Sequence, residues 1–368
     1  MTLNVLLVYY EPAVSGQSTH VLSLARALRQ HRVTVVLPEA LAALAPDFQQ
    51  AGARVVSLPL RKVFWSLSTI SAFTGLIRQE HFDIVHVHSQ EAGLVGRALA
   101  YLAGARHILY TPQTIDIRRA GWHWLYALLE VILSVITERI ISVNEADRRR
   151  LIRWGIPAAK VVAIPNGIDL ARFSTPVDPA ALRKKLGMSV ERPLVMQVGR
   201  LSPQKDPFAF VEGARRILER HPEAQFALVG KGPLQEELAS RIAALGLSQQ
   251  VFMAGWQDDA WQLMAAADVI TLTSRWEGTP YSLLEAMACA KPVVATAVNG
   301  CPEIVLHGET GFLAPAGDLE AWVAGVARLL EQPAQAARMG QRGRQWVEEK
   351  FSTDKMGKQI EALYRQVL

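Results

Sequence analysis

Cysteine is nearly absent: Cys289 and Cys301 are the two in 368 residues. Two thiols build no disulfide framework, and their spacing is not that of a zinc site. A reducing cytosol is the expected compartment. Long apolar runs are missing too. A membrane span needs roughly 18 consecutive apolar residues; the nearest approach, Trp122 to Ile136, contains His123 and Glu130. The run Asn4 to Tyr10 is too short for a signal peptide and has no basic leader. There is no Walker A sequence and no His/Glu metal motif, and Asp258-Asp259 lack the spacing of an Asp-x-Asp metal site. A nicotinamide dehydrogenase needs Gly-x-Gly-x-x-Gly after its first strand, and the first loop here, Glu11 to Gln17, has the single glycine Gly16. Charged residues make up only 20% of the chain and hydrophobic ones 50%. That balance excludes disorder and suits two buried cores.

Charge is lopsided. Residues 1–172 hold 18 Lys/Arg against 12 Asp/Glu, a net +6, and the remainder is −1. Sixteen of those 18 cations are arginine, which suits phosphates and anionic headgroups; ordinary surface arginine explains them equally well. No nucleic-acid partner is expected.

Short Val/Ile/Leu-rich runs alternate with amphipathic stretches along the chain. Strands are predicted at 4–10, 33–37, 54–58, 83–87, 107–111, 139–143 and 161–164, and again at 194–198, 225–229, 250–253, 268–272 and 292–295. Helices fall between them, as at 18–30, 91–103 and 145–154, and 319–330, 335–349 and 354–367 close the chain. Apolar runs without polar alternation suit parallel strands buried on both faces. The fold class is therefore α/β, with two doubly wound sheets. Pro165-Asn166-Gly167 and the polar stretch 174–179 mark the connection. The expected division is 1–172, 173–353, and a last helix 354–368 returning to the first domain.

Ligands bind such sheets at the carboxyl ends of the strands, and the informative loops lie there. Ser274 to Met287 follows one strand. In it, Thr279 is the expected N-cap and Pro280 the first helical residue. The N–H groups of Tyr281, Ser282 and Leu283 would then face an anion. Glu277 and Glu285 flank that helix start as hydroxyl acceptors, or simply complement the helix dipole. Gly199 to Asp206 follows another strand, and Arg200 and Lys205 can offset a diphosphate. Gly230 and Gly232 permit close approach of a flat base, or a tight turn. Gly16 opens the first helix, where its N–H could meet a phosphate. His86 and His88 are expected on opposite faces of their strand, and a satisfied core or loop histidine is the plainer reading of each.

Taken together, these residues resemble the retaining GT-B glycosyltransferases of family 4 (glycosyl transferases group 1). The resemblance runs over nearly the whole chain. It rests on the Gly16 loop, Asp83 to His88, Pro165 to Asp169, Gly199-Arg200-Leu201 with Lys205, the Glu277–Glu285 segment, and Asn299 to Gly311. It implies two Rossmann-like domains facing across a cleft, the first for an acceptor and the second for a nucleotide-diphosphate sugar. It implies Arg200 and Lys205 on the diphosphate, Glu277 on the donor sugar, Glu285 on the ribose and Gly16 closing on the diphosphate. It also implies transfer with retention, no metal and no cofactor, on a lipid-linked or glycan acceptor. Three departures stand out: Ser15-Gly16 for the family's Gly-Gly, Asn299-Gly300 for another Gly-Gly, and Gln113 where a histidine commonly contacts sugar or acceptor. Glutamine hydrogen-bonds but does not titrate near neutral pH. A non-catalytic nucleotide-sugar-binding homologue and a nucleotide-sugar epimerase are the alternative readings.

Aromatic-rich segments at 63–67 and 122–129, with Arg118 and Arg119 before the second, point to an anionic membrane surface; an ordinary core helix is the competing account of 122–136. The expected location is the cytoplasm, peripheral on the inner face of the membrane.

Overall fold

A computed structural model describes residues 2–11, 14–60, 65–115 and 123–368. Val63-Phe64, Arg118, Arg119 and Trp122, which carry part of the membrane expectation, lie outside the described residues.

The first unit comprises Met1–Gly167 and Thr353–Leu368. Its strands are β1 (Asn4–Val8), β2 (Arg32–Pro38), β3 (Arg54–Leu58), β4 (Ile84–His88), β5 (His107–Thr111), β6 (Arg139–Ser142) and β7 (Val161–Ala163). They form a parallel sheet in the order β3-β2-β1-β4-β5-β6-β7. Successive side chains of β1 divide between two cores. Val5 and Leu7 join one with Val33, Val35 and Leu37, whereas Leu6 and Val8 join the other with Val36, Val85 and Val87. Both faces are buried, so no polar alternation is needed.

Helix Thr353–Val367 belongs to this unit: Met356, Ile360, Leu363 and Tyr364 lie in the core that holds Val5, Leu7, Val21 and Leu24. The second unit is Ile168–Ser352. The division at Gly167/Ile168 precedes the expected 172/173 because Ile168 N–H donates to Phe351 O at 2.8 Å and Ile168 bridges Ser352. Those pairings tie residues from 168 onward to the second unit.

That unit contains β8 (Leu194–Val198), β9 (Gln225–Val229), β10 (Val251–Gly255), β11 (Val269–Leu272), β12 (Val293–Thr296) and β13 (Gly311–Ala314), in the order β10-β9-β8-β11-β12-β13. All pairings are parallel. Strand β13 was not anticipated; it is four residues long and contributes one aromatic, Phe312, to its core. Each sheet reverses its strand order once, at β1/β4 and at β8/β11, the place where open α/β sheets form a crevice.

The helix His123–Leu133 packs in an unusual sense. Glu130, its acidic residue, is buried and accepts from Arg97 Nη2 at 2.8 Å on both oxygens. Arg97 is equally buried on helix Gln90–Leu102, donates through Nε to Gly93 O at 2.7 Å, and lies 3.8 Å over the Tyr110 ring. Tyr110 and Tyr126 hydroxyls meet at 3.2 Å, and burial holds both phenols well above their ordinary pKa. Among the described residues, no helix is long and apolar enough to cross a membrane.

Candidate functional site

In the second unit four neighbouring strands end in the loops singled out by sequence. The loop after β8 is braced from below by the loop after β9. Gly199 N–H donates to Val229 O at 2.9 Å, Leu201 N–H to Lys231 O at 3.1 Å, and Leu234 N–H to Leu201 O at 3.1 Å. The two glycines of that second loop are required by this contact. A Cβ on Gly230, whose φ is +139°, would stand 2.0 Å from Gly199 O, and one on Gly232 would stand 2.2 Å from Leu201 O. The close approach they permit is that of the protein's own main chain.

The loops after β8 and β11 are sewn together. Thr273 Oγ1 lies 2.8 to 3.0 Å from Asp206 O, Gln197 Oε1 and Lys205 O, and Gln197 Nε2 donates to Lys205 O at 3.1 Å. Arg275 N–H donates to Gln204 O, Gln204 Nε2 donates to Trp276 O, and Arg275 Nε pairs with Asp206 at 2.7 Å. This bracing brings Lys205 to Glu277. Their Nζ–Oε1 distance is 2.6 Å, and Ser274 Oγ donates to the same carboxylate oxygen at 2.5 Å. Glu277 is buried. Arg200 is exposed, and among the described residues it makes no ion pair.

The helix Tyr281–Ala288 starts one residue later than expected. Its N-cap is Pro280, extended at φ −69° and ψ 113°, with no side-chain cap bond. Thr279 is therefore buried ahead of the cap rather than being the cap itself. Proline at the cap turns its carbonyl inward, where it accepts from Leu283 N–H at 3.2 Å. The expected free N–H of Leu283 is thus occupied, and those of Tyr281 and Ser282 remain at the helix start. The Tyr281 hydroxyl and Ser282 Oγ are buried with no hydrogen-bond partner among the described residues.

Glu285 is partly buried within this helix. Burial pushes its pKa up to about 7, and the nearby Arg172 opposes the shift. A ribose hydroxyl donates best to the ionised carboxylate, so the sign of the pH effect is fixed. Donor affinity should weaken as pH falls from about 8 to about 6, because protonation through a pKa near 7 removes the acceptor charge. Glu285→Gln should flatten that dependence. Calorimetric titration across this range is the check, and a parent profile as flat as the variant's would remove Glu285 from the site.

In the first unit, Gly16 begins helix Gly16–Ala27 and Ser15 caps it, accepting from Gln17 N–H at 3.1 Å. Ser15 Oγ donates to one oxygen of Glu11, and Ser18 Oγ donates to the other at 3.2 Å. A carboxylate of the chain thus stands at the helix start where sequence placed a phosphate. Gln113 is buried with φ +67°, in a γ-turn closed by Thr114 N–H to Pro112 O at 2.9 Å. Its Nε2 has no partner among the described residues. A residue held in so sparsely populated a conformation is a common mark of a functional loop.

His86 and His88 lie on one face of β4, not on opposite faces, because strand residues two apart share a side. Their rings are 4.0 Å apart, and His88 is 5.2 Å from His20. His86 is satisfied, with Nδ1 2.7 Å from the Tyr364 hydroxyl and Nε2 2.8 Å from Thr111 Oγ1. His88 is buried with neither ring nitrogen partnered among the described residues. Burial lowers all three histidines below the usual range, His20 to about 4, so all are neutral at physiological pH.

Sequence reasoning missed Ser274, Thr273 and Gln197. Ser274 stands three residues before Glu277, and that spacing was the available signal. The partners of Thr273 and Gln197 come together only in three dimensions.

Comparison with known proteins agrees with this architecture. Family models match in both units: "Glycosyltransferase Family 4" over residues 14–172 and "Glycosyl transferases group 1" over 178–346. A UDP-Gal:alpha-D-GlcNAc-diphosphoundecaprenol alpha-1,3-galactosyltransferase of Escherichia coli is 30% identical, covering 72% of this chain and 70% of its own. A GDP-mannose-dependent alpha-(1-6)-phosphatidylinositol monomannoside mannosyltransferase of Mycolicibacterium smegmatis is 29% identical, over 87% and 86%. Among solved structures, Anabaena HepE in complex with UDP and glucose has a TM-score of 0.86 at 24% identity, over 98% of this chain and 99% of its own. With two doubly wound parallel sheets and a 30% identical relative matched over most of both chains, the protein belongs to the GT-B glycosyltransferases of family 4, the glycosyl transferases of group 1.

Proposed function

We propose that this glycosyltransferase moves a hexosyl group from a nucleoside-diphosphate sugar to a lipid-linked acceptor, with retention of configuration and without a divalent metal. The observation that carries the donor reading is the Lys205–Glu277 pair, set beside the start of helix Tyr281–Ala288. Lys205 and Arg200 offset the diphosphate, and the N–H groups of Tyr281 and Ser282 add donors aimed at an anion. Glu277 accepts from sugar hydroxyls and Glu285 from the ribose. In the reaction the bond from C1 to the diphosphate oxygen breaks and one from C1 to the acceptor oxygen forms. The acceptor proton leaves with the diphosphate, whose negative charge the cations stabilise as it develops. Retention is inferred from the family resemblance.

The lipid-linked acceptor is supported by the names of two relatives, which act on a diphosphoundecaprenol-linked sugar and on a phosphatidylinositol mannoside. We place the reaction on the cytoplasmic face of a membrane, with the protein peripheral to it.

The test is release of nucleoside diphosphate from a panel of UDP- and GDP-sugars, with and without chelator. Slow release from one donor, unchanged by chelator, is expected. Binding without release would favour a non-catalytic homologue, which Gln113 alone suggests. Loss of turnover in chelator, restored by manganese, would overturn metal independence.

A further inference from the structure

The helix His123–Leu133 is turned inside out. A surface helix normally presents its charges to water and its apolar stripe to the core. Here Glu130 points inward, fully buried on Arg97, while the outward residues are apolar. Trp124 is 63% exposed, Leu128 48%, Ile132 54%, and Val135 just beyond the helix 78%. These positions recur at helical spacing and form one stripe. Tyr101 and Leu102 extend it from the end of helix Gln90–Leu102, which the Arg97–Glu130 pair fastens alongside. Contiguous exposed apolar surface of this kind marks a face that is covered in use.

The charges around the stripe indicate what covers it. Helix Glu145–Arg153 packs beside it, with Trp154 edge-on to Tyr126 at 5.8 Å. On that helix Arg149 and Arg153 are exposed and, among the described residues, make no ion pair. An apolar stripe with a tryptophan at one end and unpaired arginines along one side matches the interface of an anionic bilayer. The helix is too short to span and suits lying in the plane of the surface.

We propose that the face formed by Trp124, Leu128, Ile132 and Val135, flanked by Arg149 and Arg153, docks the first unit onto an anionic lipid surface. This rests on the reading that the protein works at a membrane, and not on which donor or acceptor it uses.

The experiment is co-sedimentation with vesicles of phosphatidylcholine alone and of phosphatidylcholine with phosphatidylglycerol, at low and high salt. The parent protein should pellet with the anionic vesicles, less so at high salt. Leu128→Gln/Ile132→Gln should lower the partition coefficient by roughly tenfold or more. Arg149→Glu/Arg153→Glu should bring anionic binding down to the level of neutral vesicles. Both variants should keep the parent's melting temperature and its rate of nucleotide-sugar hydrolysis, which shows that fold and donor site are intact. A parent protein that stays in the supernatant with anionic vesicles sinks the membrane reading and this face with it. Variants that pellet as well as a binding parent overturn the face alone. A parent that is dimeric without lipid, and monomeric once Leu128 and Ile132 are replaced, assigns the face to a second copy and overturns the proposal.

Discussion

Lys205→Ala should lower kcat/KM by roughly a thousandfold, as removal of a charge-stabilising donor does elsewhere. The effect is large because this lysine has two tasks. Its Nζ holds the buried Glu277 carboxylate at 2.6 Å, and the same charge is available to the donor diphosphate. Without it, Glu277 keeps Ser274 as a partner but no cation. A buried carboxylate in that position tends to take up a proton, and its acceptor-only character toward sugar hydroxyls is lost. One substitution therefore impairs both the diphosphate and the sugar ends of the site. Lys205→Arg should not restore activity, since a planar fork does not reproduce a compact ammonium. Glu277→Gln leaves the cation in place and should cost less. Initial rates with the true donor, beside circular dichroism to confirm folding, decide the matter. A Lys205→Ala enzyme within tenfold of the parent would remove this residue from the chemistry.

The second large effect concerns stability. Arg97→Leu should destabilise the first unit by roughly 3–5 kcal/mol, because it strands Glu130 as an uncompensated buried charge. Both side chains are fully buried, and among the described residues no other cation pairs with Glu130. The double variant Arg97→Leu/Glu130→Leu should recover most of the loss, since apolar groups of similar size often replace a buried pair with little cost. Denaturant unfolding of the parent, both single variants and the double variant gives the coupling directly. Losses that simply add in the double variant would mean that packing of the two stems, not the ion pair, holds the helices together.

Sequence revealed the strands far better than the partners of the side chains between them. Runs such as Leu194–Val198 and Gln225–Val229 were visible because both faces are buried and the whole run is apolar. Strand β13 escaped because Gly311–Ala314 is four residues of ordinary composition. The loops at strand ends were found from motif and position. What was hidden was pairing at a distance: Lys205 and Glu277 are 72 residues apart, and Arg97 and Glu130 are 33 apart. Glu130 read as a polar interruption in an apolar segment, where it is in fact the inward anchor of the helix. The cap at Pro280 was misplaced by one residue, since Thr279 is the better capping residue by type and only the backbone angles decide between them.

Helix Thr353–Val367 belongs to the first unit's core although all of the second unit precedes it in the chain. The order of synthesis and the order of completion therefore differ. The second unit, one unbroken segment, has all its residues once Ser352 has left the ribosome. The first unit, begun earlier, must wait with Val5, Leu7, Val21 and Leu24 short of the neighbours that Met356, Ile360, Leu363 and Tyr364 supply. A nascent chain arrested before Thr353 should accordingly carry a protease-resistant second unit behind a protease-sensitive first one. The part of the protein made first is the last to close.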